Sequence, residues 1–242
     1  MSQITIIGES CLDVFVYCDA VRLAPDLPVP VLQEIHVETN PGMAANVQRN
    51  IEARSVSTNL VTNKNWDEIV KRRYIHDGSN HMFFRVDTPH NIARFNVQEL
   101  DLGADVIVIS DYNKGFLSES DIEFICKSHP LVFLDTKKVL GKWAENASFI
   151  KINNYEYMNS KRYLTKTLSQ KIIHTRGQEG CDFQGKNYPV EKIEVRDTSG
   201  AGDSFMAALV VDFLKTTKIE DSIIAANDAA SRVVRTRGVG VI

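Results

Sequence analysis

The densest chemistry in this 242-residue chain lies in Arg196-Asp-Thr-Ser-Gly-Ala-Gly-Asp-Ser-Phe205. Glycine and alanine open a long apolar helix there, so unhindered backbone N–H groups crowd its N-terminus. That is an anion site by geometry and by dipole. The arrangement sacrifices helix propensity, about 1 kcal/mol for each interior glycine, which a plain cap does not demand. An acidic residue in a first turn ordinarily adds only about 0.3–1 kcal/mol of helix stability. The excess of glycine favours a sharper reading. Asp203 faces a hydroxyl, while the amides of Gly200, Ala201 and Gly202 hold a transferring phosphoryl group.

The elements that must position these residues follow from the hydrophobic pattern. Residues 4–8, 104–110, 131–134, 149–152 and 171–174 are short runs that are apolar almost throughout. Such runs fit strands covered on both faces. Helical patterns occupy 118–128, 138–145, 201–214 and 219–234, the first opened by Ser118-Glu-Ser-Asp121, a good N-terminal signal. Their alternation predicts a parallel sheet flanked by helices. Two regions depart from it. Residues 12–38 read as extended around a Pro-rich turn. Residues 71–95 hold two strand-like runs joined by Asp77-Gly78-Ser79-Asn80, a hairpin signal. These strands predict a small second sheet. With no repeat, low-complexity segment or linker, residues 1–242 read as one domain.

Composition sets the outer bounds. With 43% hydrophobic and 24% charged residues the chain is globular rather than disordered, collagen-like or a disulfide scaffold. A net charge of −3 removes any chain-wide basic footprint for nucleic acid. No apolar run approaches the roughly 20 residues that span a bilayer, and the N-terminus lacks a signal-peptide pattern. The expectation is a cytoplasmic protein with neither nucleic acid nor membrane as partner. Cys11, Cys18, Cys126 and Cys181 lack CxxC spacing and a neighbouring histidine, so they read as reduced thiols. His76, His81 and His90 share a polar stretch without metal-ligand spacing and read as surface or loop residues.

Asp197-Thr-Ser-Gly-Ala-Gly-Asp203 resembles the C-terminal signature of the PfkB (ribokinase-like) carbohydrate kinases. Asn40-Pro-Gly-Met-Ala-Ala-Asn-Val47 is similar to their N-terminal signature, with Met43 where a second glycine is usual. Two signatures in the expected order are far more specific than either alone. Gly8-Glu-Ser-Cys-Leu-Asp13, residues 22–31 and Ile109-Ser-Asp-Tyr-Asn-Lys-Gly115 lean toward the bacterial heptose-7-phosphate kinase branch. The chain is shorter than is usual in the family, with the shortening between Val61 and Lys71. It also stops soon after Gly238-Val-Gly240, where the family often continues into a loop beside the nucleotide and a monovalent-cation site. The resemblance implies an α/β fold, ribokinase-like and three-layer α/β/α, with a mostly parallel central sheet and a small β-sheet lid. The lid strands would come from about 12–38 and 71–95.

Carried over by motif, Asp203 is the expected catalytic base and Gly200, Ala201 and Gly202 its anion hole. Asp13, on the loop after the first strand, would bond sugar hydroxyls, and Gly42 and Asn46 would line the same pocket. Glycine permits close backbone approach, and an amide both donates and accepts. The plainer readings are a turn aspartate and a helix-terminus asparagine. Asn153-Asn-Tyr-Glu156 matches the family's Asn-x-x-Glu motif, in which Glu156 would act on magnesium through water. Thr175, Gly177 and Gly180 match a Thr-x-Gly-x-x-Gly turn that approaches the nucleotide, or form a simple strand–turn–strand. Asn227 matches a position near adenine. Lys114 and Lys137 follow strand ends, where open α/β sheets place ligands. Lys114 would serve the sugar and Lys137 the nucleotide, or either is a solvated lysine. Arg85, in the hairpin, matches a branch arginine and would clamp a sugar phosphate, which a planar guanidinium suits. The Lys71-Arg72-Arg73 cluster is a second candidate, read more simply as a solvated basic face.

The implied activity is phosphorylation of a hydroxyl on a sugar or sugar phosphate, with ATP and Mg²⁺ and room for a monovalent cation. A homodimer through the lid is expected, because related lids pair and an isolated hairpin is marginal. Two other readings stay open. One is a kinase for a nucleoside or another small sugar. The other is a trimmed, non-catalytic nucleotide- or sugar-binding protein, motivated by the short middle and Met43. The intact Gly-Ala-Gly-Asp argues against the latter.

Overall fold

Strands that are apolar on both faces need cover on both, and the chain supplies it in three layers. The computed structural model describes residues 3–193, 197–236 and 238. In chain order, β1 (Gln3–Gly8) leads to β2 (Ser10–Leu23), β3 (Pro30–Met43), α1 (Ala44–Glu52), β4 (Ser57–Val61), β5 (Val70–His76) and β6 (Met82–Asp87). Then come β7 (Val106–Asp111), α2 (Glu119–Ser128), β8 (Val132–Thr136), β9 (Phe149–Asn153), α3 (Asn154–Ser160), α4 (Lys166–Ser169) and β10 (Ile172–Thr175). A hairpin of β11 (Cys181–Phe183) and β12 (Lys186–Tyr188) precedes α5 (Ala201–Thr216) and α6 (Ile219–Val233).

The main sheet runs β12-β11-β10-β9-β8-β7-β1-β4. It is parallel from β10 to β4, and β11 and β12 add antiparallel at one edge. Side chains alternate between two cores. Ile4, Ile6, Val106, Val108, Phe133 and Ile173 pack with residues of α1, α5 and α6. Ile7, Ile107, Ile109, Leu134, Ile150 and Ile152 pack with residues of α2 and the short helical turns. β1 lies between β4 and β7, so the strand order reverses there. Open α/β sheets leave a ligand crevice at the carboxyl ends beside such a reversal.

The second sheet runs β3-β2-β5-β6. Its register sorts the side chains into rows, because residues paired across strands share a face. Asn40, Asp13, Lys71 and Asp87 form one row, and Glu38, Phe15, Arg73 and Arg85 the next on the same polar face. The opposite face carries Val37, Val16, Tyr74 and Phe84 in one row. β4 passes into β5 through residues 62–69 alone, where the sequence suggests the shortening.

Three expectations need correcting. The helix over 138–145 is only one 3₁₀ turn, Lys142–Ala144. The Lys138 ammonium is tied to Asp111 at 2.7 Å, and Gly141 is fully extended just before the turn. Asp13 lies inside β2 rather than on a loop. The short strands β4 and β12 were not expected, and β11 only as the strand–turn–strand alternative for residues 174–180, since three to five residues of mixed polarity carry little periodicity. The four cysteines are free and buried, and burial pushes the Cys11 and Cys126 thiols up to about 12. No described helix is long and apolar enough to cross a membrane.

Candidate active site

Gly200 enters α5 in the left-handed conformation, at φ 77°, and no side chain caps the helix. Among the described residues the amides of Gly202 and Asp203 donate to no protein acceptor. The helix start therefore presents open donors. Asp203 is buried in the first turn. Its Oδ2 accepts from Asn46 Nδ2 at 2.7 Å and its Oδ1 from the Tyr112 hydroxyl at 2.9 Å. Burial pushes its carboxyl above the ordinary range, and the Asn46 donor and Lys151 partly counter this.

Next to this helix start stands a buried ionic cluster. Lys151, inside β9, donates to Asp135 Oδ2 at 2.6 Å. A Cβ on Gly202 would sit 2.9 Å from the Lys151 ammonium, so the glycine leaves that cation room beside the helix start. Lys137 bonds Glu156 and lies 3.8 Å from Asp135. Burial alone would lower the Lys137 pKa, but Asp135 and Glu156 more than offset this and raise it to about 12. Burial likewise opposes ionisation of Asp135, yet Lys151 and Lys137 hold its carboxyl below the usual range. Asn153 caps α3, and its N–H and Nδ2 donate to Glu156 at 2.8 and 2.9 Å.

A cavity of about 770 Å³ opens over this cluster. Lys137, Asn153, Thr175, Gly177, Gly180 and Asn227 line it together with Gly200–Asp203, so residues far apart in sequence converge there. Glu156 lies behind Lys137. Gly180 has a second duty: a Cβ there would come 2.0 Å from the Tyr188 carbonyl oxygen. Asn227 donates to that same carbonyl at 2.9 Å. No described group of three His, Cys, Asp or Glu is arranged to hold a metal directly. Asp135 Oδ1 is buried without a hydrogen bond, beside the cavity. That donor set suits Mg²⁺, which keeps several waters and binds through phosphate oxygens.

None of the residues expected to bind sugar lines this cavity, and among the described residues Asn46 is the one of them that bonds Asp203. Asp13 is bonded to Arg73 at 2.5 Å, and the Arg73 guanidinium also lies over the Phe15 ring. Gly42 faces Asp13, where a Cβ would be 2.2 Å from Oδ2, so this glycine makes room for the carboxylate. Met43 has φ 61° and ψ −128°, a conformation that favours glycine, while its buried side chain packs with Cys11, Ile69 and Tyr112. The 71–73 cluster is not simply a solvated face, because Arg73 pairs with Asp13 and Lys71 reaches inward. The Lys71 ammonium lies 5.2 Å from the Tyr112 ring centre. Arg85 is exposed on the outer strand and paired with Asp87 at 2.8 Å. Lys114 is exposed, but its backbone N–H donates to Glu9 at 2.8 Å.

Sequence reasoning missed several members. Glu9, fully buried, accepts the N–H groups of Tyr112, Lys114 and Phe116 and so shapes the loop after β7. Lys151 carried a readable signal, a lysine amid the apolar run Phe149-Ile-Lys-Ile152. Tyr112 lay within a quoted motif but has no residue-type signature for contact with an aspartate 91 positions away.

Residues 133–241 match the pfkB family carbohydrate kinases. The bifunctional protein HldE of Helicobacter pylori strain G27 is 28% identical over 299 residues, covering 98% of this chain and 64% of that protein. HldE of Psychromonas ingrahamii is 25% identical, covering 100% and 62%. The chain thus spans less than two thirds of the length of these curated relatives. Among solved structures, the fold matches the nucleoside kinase of Methanocaldococcus jannaschii at a TM-score of 0.73 and 17% identity, covering 99% of this chain and 93% of that one. The ribokinase of Thermotoga maritima gives 0.73 at 16%, covering 99% and 95%. Phosphofructokinase-2 of Escherichia coli gives 0.73 at 15%, covering 100% and 95%. The fold is therefore ribokinase-like, residues 133–241 are similar to the pfkB family carbohydrate kinases, and the two stretches that resemble the family's signatures meet where Asn46 bonds Asp203.

Proposed function

We propose that this protein transfers the γ-phosphoryl group of ATP to a hydroxyl of a sugar or sugar phosphate. One observation carries the reading. A buried carboxylate, Asp203, is fixed by two donors directly after an uncapped Gly-Ala-Gly helix start and beside the buried cation Lys151. Phosphoryl transfer asks mainly for positioning and charge neutralisation. An aspartate with a pKa of about 3.9 is far too weak to ionise a sugar hydroxyl beforehand. Asp203 orients the hydroxyl and accepts its proton late, as the bond to phosphorus forms. The amides of residues 200–202 and the Lys151 ammonium take up charge on the transferring group.

ATP lies along the wall of Lys137, Thr175, Gly177, Gly180 and Asn227. Mg²⁺ would be held through phosphate oxygens and water, with Asn153 and Glu156 behind it, and would neutralise phosphate charge. A monovalent cation stays a candidate beside the nucleotide, and Val239 and Gly240 of the stretch that precedes the family's cation loop lie outside the described residues. Use of ATP puts the reaction in the cytoplasm. Measuring ADP release over neutral sugars, nucleosides and sugar phosphates including heptose 7-phosphate tests the reading. Release dependent on a sugar or sugar phosphate supports it, release dependent only on a nucleoside moves the substrate class, and none with any acceptor refutes it.

The acceptor we favour is a heptose-7-phosphate-like sugar phosphate, bound beneath the lid by Asp13, Gly42 and Asn46. Lys71 has no carboxylate partner among the described residues and points at this region, so it joins Arg85 and Lys114 as a candidate for the substrate's own phosphate. Lys71→Met should raise KM for a sugar phosphate by about 10-fold, the worth of one hydrogen bond to a charged group, and leave KM for ATP unchanged. Arg85→Ala should act in the same direction but less, because Asp87 already neutralises Arg85. Equal effects on neutral and phosphorylated sugars would remove the charged-substrate reading.

The lid's outer face leaves Val37, Phe84 and Val86 exposed next to buried Val14 and Val16. We propose that a second copy covers it, giving a homodimer through the lid. Light scattering at micromolar concentration should return twice the chain mass of 27.2 kDa. A monomer throughout would contradict the assembly.

A further inference from the structure

Tyr112 stands where phosphoryl transfer requires an acceptor hydroxyl. Its phenol, like a sugar hydroxyl, is an O–H donor, and it reaches Asp203 Oδ1 at 2.9 Å from a position lining the cavity. Asn46 takes the other oxygen. The tyrosine is firmly seated. Glu9 Oε2 accepts its backbone N–H at 2.7 Å, and Met43, Cys11 and Ile69 pack about its ring. Two ammonium groups lie over that ring, Lys71 from lid strand β5 at 5.2 Å and Lys137 from the cavity wall at 5.5 Å. Burial, together with the charges of Asp203 and Asp135, lifts the phenol well above its ordinary pKa, so it remains a donor at neutral pH.

We propose that Tyr112 is a specificity residue that occupies Asp203 Oδ1 in place of the acceptor hydroxyl and keeps water off the base until a sugar displaces the phenol. The inference rests on the kinase reading above. The competing reaction is hydrolysis. There a water oxygen bonds the γ-phosphorus, the bond from that phosphorus to the ADP oxygen breaks, and the water's proton passes to Asp203. A lone water offers the base nothing that the phenol does not already give. A sugar brings further contacts to Asp13, Asn46 and the lid, and these can drive the exchange. The two ammonium contacts link the ring to both the lid and the nucleotide wall, so the phenol yields only when both sides are engaged.

Tyr112→Phe retains the ring and its ammonium contacts but deletes the hydroxyl, leaving polar space for a water beside Oδ1. Two readouts test it: ADP release with and without heptose 7-phosphate, and ATP binding by calorimetry. ADP release without sugar should rise about 10-fold relative to sugar-dependent transfer, the worth of one hydrogen bond to a charged group. KM for the sugar should stay level or fall, since its internal competitor is gone, and ATP binding should match the unsubstituted protein. If Tyr112 only braced Asp203, hydrolysis and transfer would fall together, and that result overturns the proposal. Loss of ATP binding in the variant overturns it too, because the hydroxyl would then be holding the site together. An unsubstituted protein that binds no ATP refutes the kinase reading itself, and the guarding role with it.

Discussion

Replacing Asp203 with asparagine should lower turnover by at least about 10²-fold, the smaller end of what a positioned general base contributes. Nucleotide affinity should hardly change, because the variant leaves the helix start, Lys137 and Lys151 in place. Stability should move the other way or not at all. Burial raises the Asp203 pKa, so the ionised form is disfavoured in the folded protein. Such a group contributes stability below its unfolded pKa and loses it as pH rises through the folded value. At neutral pH the ionised carboxylate is therefore a net cost, which an amide relieves. An asparagine can still accept from Asn46, and its amide can donate to the Tyr112 oxygen. The variant should melt no lower than the parent protein. The same shift predicts that activity declines on acidification at a pH above the usual carboxylate range, and that this acidic limb vanishes in the variant.

Gly202→Val should have the second large effect. A Cβ at 202 falls 2.9 Å from the Lys151 ammonium. That ammonium is buried and bonded to Asp135, so it must move against its own partner. The valine also stands between the open amides and any approaching phosphate. Loss of one such donor typically lowers turnover by about 10²–10³-fold. Overpacking of this kind costs about 1–3 kcal/mol of stability, so a folded variant with a somewhat lower Tm is expected. Normal turnover in that variant would show that the helix start is not where the phosphoryl group sits.

The central strands and the Gly-Ala-Gly helix start were legible because their signals are local. Runs such as Val106-Ile-Val-Ile109 are apolar at every position, and glycines at a helix start stand out because they cost helix propensity that an ordinary cap does not require. What was not legible is long-range. Asn46 meets Asp203 across 157 positions, and no spacing rule forecasts it. Register settled other points. A paired row puts Asp13 beside Lys71, and Arg73 reaches the Asp13 carboxylate, which turned an apparently solvated basic cluster inward. Arg85 lies in the neighbouring row on the same polar face but two strands out from β2, at the rim. Asp13 looked like a loop residue because β2 follows β1 after Glu9 alone, with no turn residues to mark the gap. Glu9 itself was hidden, since a glutamate after a strand reads as solvated until the three amides it accepts are seen.

The most direct measurement is single-turnover transfer from γ-labelled ATP, with heptose 7-phosphate as acceptor, by the parent protein and by Asp203→Asn. The account predicts that label leaves ATP and appears on the sugar phosphate in equal amount, and that the asparagine variant binds ATP but transfers at least about 10²-fold more slowly. Transfer at the parental rate without the Asp203 carboxylate would contradict it.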